Sequence, residues 1–593
     1  MSPTPGDAGK APASPALRYV YQTDEELWKR GASLAKALGV RPTTAQVLLR
    51  RGVSDAQDAR DYLEPRLKRL LDPAEMADFK RAVTRVADAV ERKERCGVFG
   101  DYDVDGITAA AVITQILTEL GPEPECRVAS RDHGYGLTTV DIEAFRKAGC
   151  SLVIACDVGS GDHPAIDAAV AAGIDVVVLD HHHIPEDPPP AYALVNPGRP
   201  GCPFPFHDMA SVGVAFYVAA ALRTELDDRG YFADHEPPDV HALLDLVAVG
   251  TIADVVPLSG VNRIMVRAGL DRINELQRPG LRFLARLAGL QAGPPPITVK
   301  DIAFRLAPRL NAAGRMGDAM PALRLLLDRE INSAWRCALE LDGRNRQRQR
   351  LQEDVYTAAV ERVEKGGVGE SIHVVAGDNW HPGVVGIVAS KLADLYACPT
   401  VVISMTDGEG RGSVRTFGGI NIYDCLEASR EHLVTFGGHA SAAGLTVRRG
   451  DLANLTRALD HEVQAQIERR GGVRRTVSVD ALVELQEVDE ELVCELERIQ
   501  PCGEGNPEPM LLTDPVVVVE SRLVGNGHLR LKIAAPDGSA QHEVIGFGMG
   551  HRAPALGERL RVVFVAEHNT YRGKTSIQLR LLDLSPSEEG SGV

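Results

Sequence analysis

The 593 residues carry 82 acidic against 65 basic side chains, a formal net charge of −17, with 44% hydrophobic content. At roughly 150 residues per domain this length implies three or four domains, and no apolar run approaches the roughly 18 residues of a membrane span. So acidic a chain does not hold duplex nucleic acid by bulk charge, and any nucleic-acid contact has to come from a local basic channel.

Residues 1–18 are rich in Pro, Ala, Ser and Gly without an apolar core, which predicts a disordered tail and not a signal peptide. Tyr19 to about Glu91 reads as helical and charged. Three strand-like runs then end in acids. Cys96–Gly100 leads into Asp101-Tyr102-Asp103-Val104-Asp105-Gly106, Leu152–Cys156 into Asp157, and Val176–Leu179 into Asp180-His181-His182-His183. Helical stretches separate them, which predicts a parallel α/β sheet with its strand ends opening on one edge. Carboxylates and imidazoles gathered there form the ligand set of a divalent metal cluster and point to metal-assisted hydrolysis.

Helices are expected over Ala210–Leu226 and Asp239–Gly250, and Asp254 follows in an apolar stretch, where a charge is costly unless paired or bound to metal. Pro294–Pro296 marks a loop. Apolar residues at helical spacing over Asn332–Lys365 predict one long connecting helix, kinked near Gly343 and capped by Gly366-Gly367. Its basic run, Arg344 to Arg350, reads as a solvated face from which Asn345 and Arg348 could reach a substrate. A second α/β segment has strands at His373–Gly377 and Thr400–Ser404 around a helix at Gly383–Leu395. The remainder alternates in the β manner at Val516–Glu520, Leu529–Ile533, Leu560–Val565 and Ser576–Leu582, which suits a five-strand barrel such as an OB-fold. The chain from Ser585 reads as a tail. Ten cysteines without a CxxC pair, several inside apolar runs, predict reduced thiols in a cytoplasm and no structural zinc site.

Each motif has a plainer reading. Asp-x-Asp-x-Asp-Gly opens an EF-hand loop, but its twelfth position, Val112, offers no bidentate acid and the segment before it is strand-like. Aspartates also favour turns, yet three at alternate positions repel one another and call for a cation. Asp157 alone would suit a helix cap. The histidine run gains weight because neutral imidazole is a metal ligand that the preceding acid could orient. Gly437–Gly444 (GGHASAAG) could serve close helix packing or let backbone N–H groups approach a phosphate. Arg415 and Ser413 would suit a terminal 5′-phosphate, and Arg309 and Arg315 the backbone nearer the metals.

In their order, DYDVDG, the acid of VIACDVG, Asp180-His181-His182 and the acid of TIADVVPL resemble the four motifs of the DHH phosphoesterase superfamily. Asn311–Arg315, His381–Ser390, Ser413–Thr416 and Gly437–Gly444 resemble the associated DHHA1 domain and its approach. Residues 503–509 (GEGNPEP), before a β-rich segment, resemble the OB-fold region of that superfamily's single-strand-specific DNA exonucleases. The resemblance implies an α/β fold: a parallel-sheet DHH domain with a helical N-terminal region (19–331), a connecting helix (332–365), a smaller α/β DHHA1 domain (366–470) and an OB-fold β-barrel (471–584). The two α/β bodies would face each other across a crevice narrow enough for one strand.

The resemblance further implies Asp103 and Asp157 at one ion with Asp101 in support, and Asp105, Asp157, His181 and Asp254 at the other. Asp157 would bridge and His182 would face the scissile phosphate as the catalytic pair. Many members have a histidine where this chain has Phe99. Substrate contacts would come from Arg309, Asn311, Arg315, His381, Ser413, Arg415, Gly438, His439 and Ser441. The cofactors would be two divalent cations, Mn²⁺ in preference to Mg²⁺, given mixed carboxylate and imidazole ligation. The implied activity is 5′→3′ hydrolysis of single-stranded DNA to mononucleotides in repair and recombination, with a helicase and a single-strand-binding protein as companions and no membrane partner. Two other functions fit parts of the pattern: a phosphodiesterase of short oligonucleotides or cyclic dinucleotides, and a non-catalytic replication scaffold.

Overall fold

The computed structural model describes residues 18–20, 25–121, 123–130, 136–366, 369–470, 476–525, 527–571 and 574–586. Residues 1–17 and 587–593 of the expected tails lie outside these, whereas Ser585 and Pro586 still belong to the last strand. The chain forms two compact units. One joins Tyr21–Gly343 to Val479–Val593, and the other joins Met1–Val20 to Arg344–Ser478.

The first unit is built on five parallel strands: β1 (Cys96–Gly100), β2 (Glu125–Val128), β3 (Leu152–Cys156), β4 (Asp175–Leu179) and β5 (Ala193–Val195). Their order is β2-β1-β3-β4-β5. β1 and β3 are buried at every residue because apolar layers cover both faces, as a parallel sheet requires. One layer holds the helices α1 (Val104–Leu120), α2 (Ser211–Asp228) and α3 (Leu244–Ala253). The other holds Phe99, Ile142, Phe145 and Ile166. The strand order reverses between β1 and β3, where a doubly wound sheet opens its crevice. Beyond α3 the chain makes a π-helical turn, Ile302–Leu306, that runs directly into α4 (Ala307–Met316).

The helix α5 (Ile331–Lys365) is continuous for 35 residues and runs through Gly343. Gly366 ends it at φ 80°, and Gly367 lies outside the described residues. The second unit carries β6 (His373–Asp378), β7 (Thr400–Thr406), β8 (Glu409–Arg415), β9 (Thr435–Gly438) and β10 (Ala442–Arg448) in the order β9-β10-β8-β7-β6. Only β6 and β7 pair in parallel. The helix α6 (Pro382–Tyr396) packs Val384, Val388 and Leu392 with Val402 of β7. Leu452–Arg469 sets Leu455, Leu459 and Val463 among Ile403, Val414 and Leu445. GGHASAAG is the β9–β10 hairpin, so its small residues serve a tight reversal and not helix packing. Arg18–Val20 pairs in parallel with Thr476–Ser478, a strand invisible to patterning because it is three residues long.

Back in the first unit, the C-terminal segment adds β11 (Ala481–Val483), β12 (Leu511–Thr513), β13 (Val516–Val524), β14 (His528–Ala534), β15 (Gln541–Gly546), β16 (Arg559–Tyr571) and β17 (Lys574–Pro586). β16-β13-β14-β15-β17 pair in a ring, since β17 returns to β16. This closed five-strand barrel is extended by β12 and β11 on β16. Leu34, Val47, Leu48 and Leu63 from helices within residues 25–63 share the barrel's core with Leu529, Leu531, Val562 and Leu579. Phe564 is fully buried in that core, whereas Phe547 is exposed.

Candidate metal centre

The acids stand where the first sheet's strands end. Asp101 follows β1, and Asp103 caps α1 by accepting from the Gly106 N–H at 3.1 Å. Asp105, one helical step further, is buried and accepts from the Ser211 and Val212 N–H groups at 2.7 and 2.9 Å. Those amides open α2, whose free N–H groups and dipole favour an anion. Asp157 leaves β3 in the left-handed region at φ 65° and accepts from the Ser211 hydroxyl at 2.9 Å. A non-glycine residue held there marks a spot where the surroundings impose the backbone.

After β4, buried Asp180 accepts from the Ser160 N–H at 3.1 Å and the His181 N–H at 2.7 Å, and lies 2.8 Å from His182 Nδ1. Asn196 donates to the His182 carbonyl at 2.8 Å. Asp254 caps the end of α3. His181 Nε2 sits 3.4 Å from Asp157 Oδ1, 3.6 Å from Asp254 Oδ2 and 4.0 Å from Asp105 Oδ2. Ligand atoms within 4.8 Å of one another define three overlapping groups: Asp101-Asp103-Asp157, Asp105-His181-Asp254 and Asp157-His181-His182. Asp157 and His181 join them into one centre. Phe99 lies wholly within the core and offers nothing to it.

Among the described residues, His181 Nε2 and Asp254 Oδ2 are buried without a hydrogen-bond partner. Such atoms are costly to bury unpaired, and carboxylate oxygens converging with an imidazole nitrogen are the donor chemistry of a divalent cation. The electrostatics agree. Burial, then the Asp103 charge, raises the Asp105 carboxyl to about 7 against the pull of the Val212 and Ser211 N–H groups. Burial, then Asp105 and Asp103, raises Asp254 to about 9. Burial and the same neighbours raise Asp157 well above the carboxylate range. Burial, then His182, lowers His181, keeping it neutral and able to ligate. Burial also works against the His182 cation, but the Asp180 carboxylate outweighs it and lifts the imidazole to about 9. Burial opposes the Asp180 carboxylate too, yet its bond from His182 leaves it below the ordinary range.

The remaining candidates divide between the units. On α4, Gly314 meets the Asp101–Asp105 loop so closely that a Cβ there would lie 2.4 Å from the Tyr102 carbonyl oxygen. The same helix carries Asn311 and half-buried Arg315. Arg309 instead donates to Asp342 at 3.0 Å, so it is a structural partner before any substrate arrives. In the second unit, Arg415 on β8 donates to the Ser413 hydroxyl at 2.7 Å and the Val414 carbonyl at 2.8 Å. Burial lowers its pKa, and among the described residues no carboxylate forms an ion pair with it. Gly386 of α6 leaves room for this pair, since a Cβ would meet both side chains at 3.1 Å. His381 caps α6 through the Gly383 N–H at 3.1 Å. Gly438, His439 and Ser441 form the exposed β9–β10 tip, and the Ser441 carbonyl accepts from Thr416 N at 3.1 Å. The basic run on α5 is not uniformly solvated: Arg346 and Arg350 are exposed, but Asn345 and Arg348 are buried and bonded to each other at 3.2 Å.

Sequence reasoning passed over Ser211, Ser160 and Asn196, small polar residues whose only outward signal is a place beside a helix start or a strand end. It gave Asp180 an orienting role alone. A further grouping, Glu490-Cys494-His568, lies on the barrel side, where His568 is held between Glu497 at 2.8 Å and Glu490 at 2.9 Å.

A parallel sheet whose acids and histidines converge at the reversal between β1 and β3, in a chain with a separate α/β unit bearing an unneutralised arginine, defines the DHH/DHHA1 class of phosphoesterase. Family comparison agrees: the DHH family N-terminal domain matches residues 95–251, the DHHA1 domain 369–465 and the RecJ OB domain 479–583. The chain is 33% identical to the single-stranded-DNA-specific exonuclease RecJ of Bacillus subtilis, covering 94% of this chain and 69% of that protein. It is 32% identical to RecJ of Escherichia coli, covering 92% and 96%. The crystal structure of RecJ from Thermus thermophilus in complex with Mn²⁺ superposes with a TM-score of 0.79 at 29% identity, over 97% of this chain and 80% of that one. The same protein in complex with Mg²⁺ gives 0.73 at 27% identity, over 97% and 79%. The chain belongs to the RecJ family.

Proposed function

We propose that this chain is a metal-dependent exonuclease that hydrolyses phosphodiester bonds of single-stranded DNA from the 5′ end, releasing mononucleotides. The observation that carries this reading is the pair of buried ligand atoms without a hydrogen-bond partner among the described residues, His181 Nε2 and Asp254 Oδ2, gathered with the Asp105 and Asp157 carboxylates. Asp101, Asp103 and Asp157 would hold one divalent cation. Asp105, Asp157, His181 and Asp254 would hold a second, with Asp157 common to both. Two such ions would activate a water and neutralise the charge of the phosphate. Mn²⁺ suits the mixed donor set somewhat better than Mg²⁺.

The protein's own groups do the rest. Ser211 and the start of α2 fix the Asp105 and Asp157 oxygens. Asp180 holds the His182 ring and keeps it protonated, so that His182 can donate to the phosphate or the departing oxygen. Arg415 with Ser413 would receive the 5′-phosphate, aided by the N–H groups of the Gly438–Ser441 tip and by His381. Asn311 and Arg315 would lie along the strand near the metals. The proposed setting is DNA repair and recombination in a cytoplasm, alongside a helicase and a single-strand-binding protein. The match to the RecJ OB domain favours this reading over a shorter dinucleotide phosphodiesterase.

The test is digestion of end-labelled single strands and of duplexes with Mn²⁺ or with chelator. Mononucleotides released from the 5′ end of single strands, and none with chelator, are expected. Release from the 3′ end first would remove the polarity, and metal-independent cutting would remove the mechanism.

A further inference from the structure

A cavity of about 430 Å³ opens beside the metal centre, at the residues flanking Asp254. Its walls are Val255 and Val256, the turn bearing Phe304, Pro308 and Asn311 of α4, and the loop around Glu504. The Leu258 N–H donates to the Glu504 carbonyl at 2.7 Å, so the GEGNPEP segment closes one side. This is the size of a small-ligand site, roughly 300–1,000 Å³.

Two costly local choices converge on the cavity. Val255 sits at φ 63°, a region that β-branched residues avoid, and is 63% exposed. Phe304 lies in the π-helical turn and is 79% exposed. π-helical turns occur mostly as isolated insertions at functional sites, and strained backbone persists where the surroundings impose it. Neither choice serves the core, since both side chains face solvent. Both instead present apolar surface next to a centre built for phosphate.

Resting on the nuclease reading above, we propose that this cavity receives the base of a nucleotide adjoining the scissile phosphate, stacked on Phe304 and packed against Val255. The rim favours a base over a phosphate. Glu504 and Glu508 are acidic, and Lys300 is already paired with Glu508 at 2.6 Å. Asn311 brings both a donor and an acceptor to a base edge. Any base offers a face to stack, so such a site is sequence-tolerant. It explains how a net-acidic protein holds a strand beside its acids: the base supplies attraction that phosphate contacts alone would lack.

The test uses the full chain with Mn²⁺ and 5′-phosphorylated single strands carrying one abasic nucleotide at successive positions from the 5′ end. Wild-type kcat/KM should fall about ten-fold at one position, on the order of one base–aromatic stack. Phe304→Ala should lose the same factor on the intact strand and nothing further from the abasic site at that position. Phe304→Trp should restore the wild-type pattern. Wild-type kcat/KM in Phe304→Ala on the intact strand, as a protein-docking surface would give, overturns the proposal. So does an abasic profile in Phe304→Ala that parallels wild type, or failure of Phe304→Trp to restore it. A wild-type protein that releases no nucleotide from intact strands defeats the nuclease reading itself, a result separable from all of these.

Discussion

At the scale of single residues, Asp157 carries the most. It sits on strained backbone, takes the Ser211 hydroxyl and belongs to two of the three ligand groups. Asp157→Ala is expected to lower hydrolysis by at least roughly 10²–10³-fold, the scale of losing one charge-stabilising group. Binding of a single strand should survive, since a negative charge beside the phosphates is gone; fluorescence anisotropy checks this. Turnover near wild type would remove Asp157 from the bridging role. Arg415 makes a different prediction. Among the described residues its guanidinium has a hydroxyl and a carbonyl as hydrogen-bond partners, in a site that depresses its pKa, so an incoming phosphate would satisfy it. Arg415→Ala should cost roughly ten-fold or more in kcat/KM on 5′-phosphorylated strands and much less on 5′-hydroxyl strands. Equal losses on both ends would show that Arg415 does not read the terminus.

At the scale of elements, glycines tell close approach from open space. Gly314 of α4 lies against the Tyr102 carbonyl, while an added Cβ at Gly343 of α5 meets nothing within 4 Å. Gly314→Ala should therefore destabilise by about 1–3 kcal/mol through overpacking and weaken Mn²⁺ binding by shifting the Asp101–Asp105 loop. Gly343→Ala should stabilise by about 0.5–1 kcal/mol through helix propensity alone. Urea midpoints and a metal titration distinguish the two; equal effects would mean that α4 does not support the loop. The same contrast explains what patterning could reveal. The strand-then-acid runs of β1, β3 and β4 are local signals, each written within about ten residues, and the convergence of the acids that follow them was legible from these runs. So was α5, whose apolar spacing persists along its length. The sharing of the barrel's core by Leu34 and Leu48 was not legible, because pairing across more than 400 residues leaves no local trace. Ser211 was hidden for the same reason: its meaning comes from carboxylates that precede it by more than 50 residues. The π-helical turn was hidden because its insertion does not disturb apolar spacing enough to register.

At the scale of the whole molecule, the centre makes stability depend jointly on metal and pH. Without cations, folding forces Asp105, Asp254 and Asp157 to keep protons that they would lose in the unfolded chain. Carboxyls with folded pKa values raised to about 7 and about 9, against an ordinary value of about 3.9, contribute stability that is fully present below the lower figure and lost as pH rises through the higher ones. Each proton held only by the folded chain costs about 1.4 kcal/mol of stability per pH unit. Metal-free protein is therefore expected to lose stability between about pH 4 and about pH 9, in a window set by these acids. Mn²⁺ displaces those protons, so the stabilisation it gives should grow over the same window and its binding should release protons to the buffer. General self-repulsion of a chain of net charge −17 also rises with pH, and Asp254→Asn separates the two effects. The amide cannot ionise, so the variant's metal-free urea midpoint should vary less with pH than that of wild type, while most of its Mn²⁺ stabilisation disappears. A wild-type metal-free midpoint that climbs with pH, or an Asp254→Asn slope as steep as wild type, would mean that the buried acids are not the groups that cations neutralise.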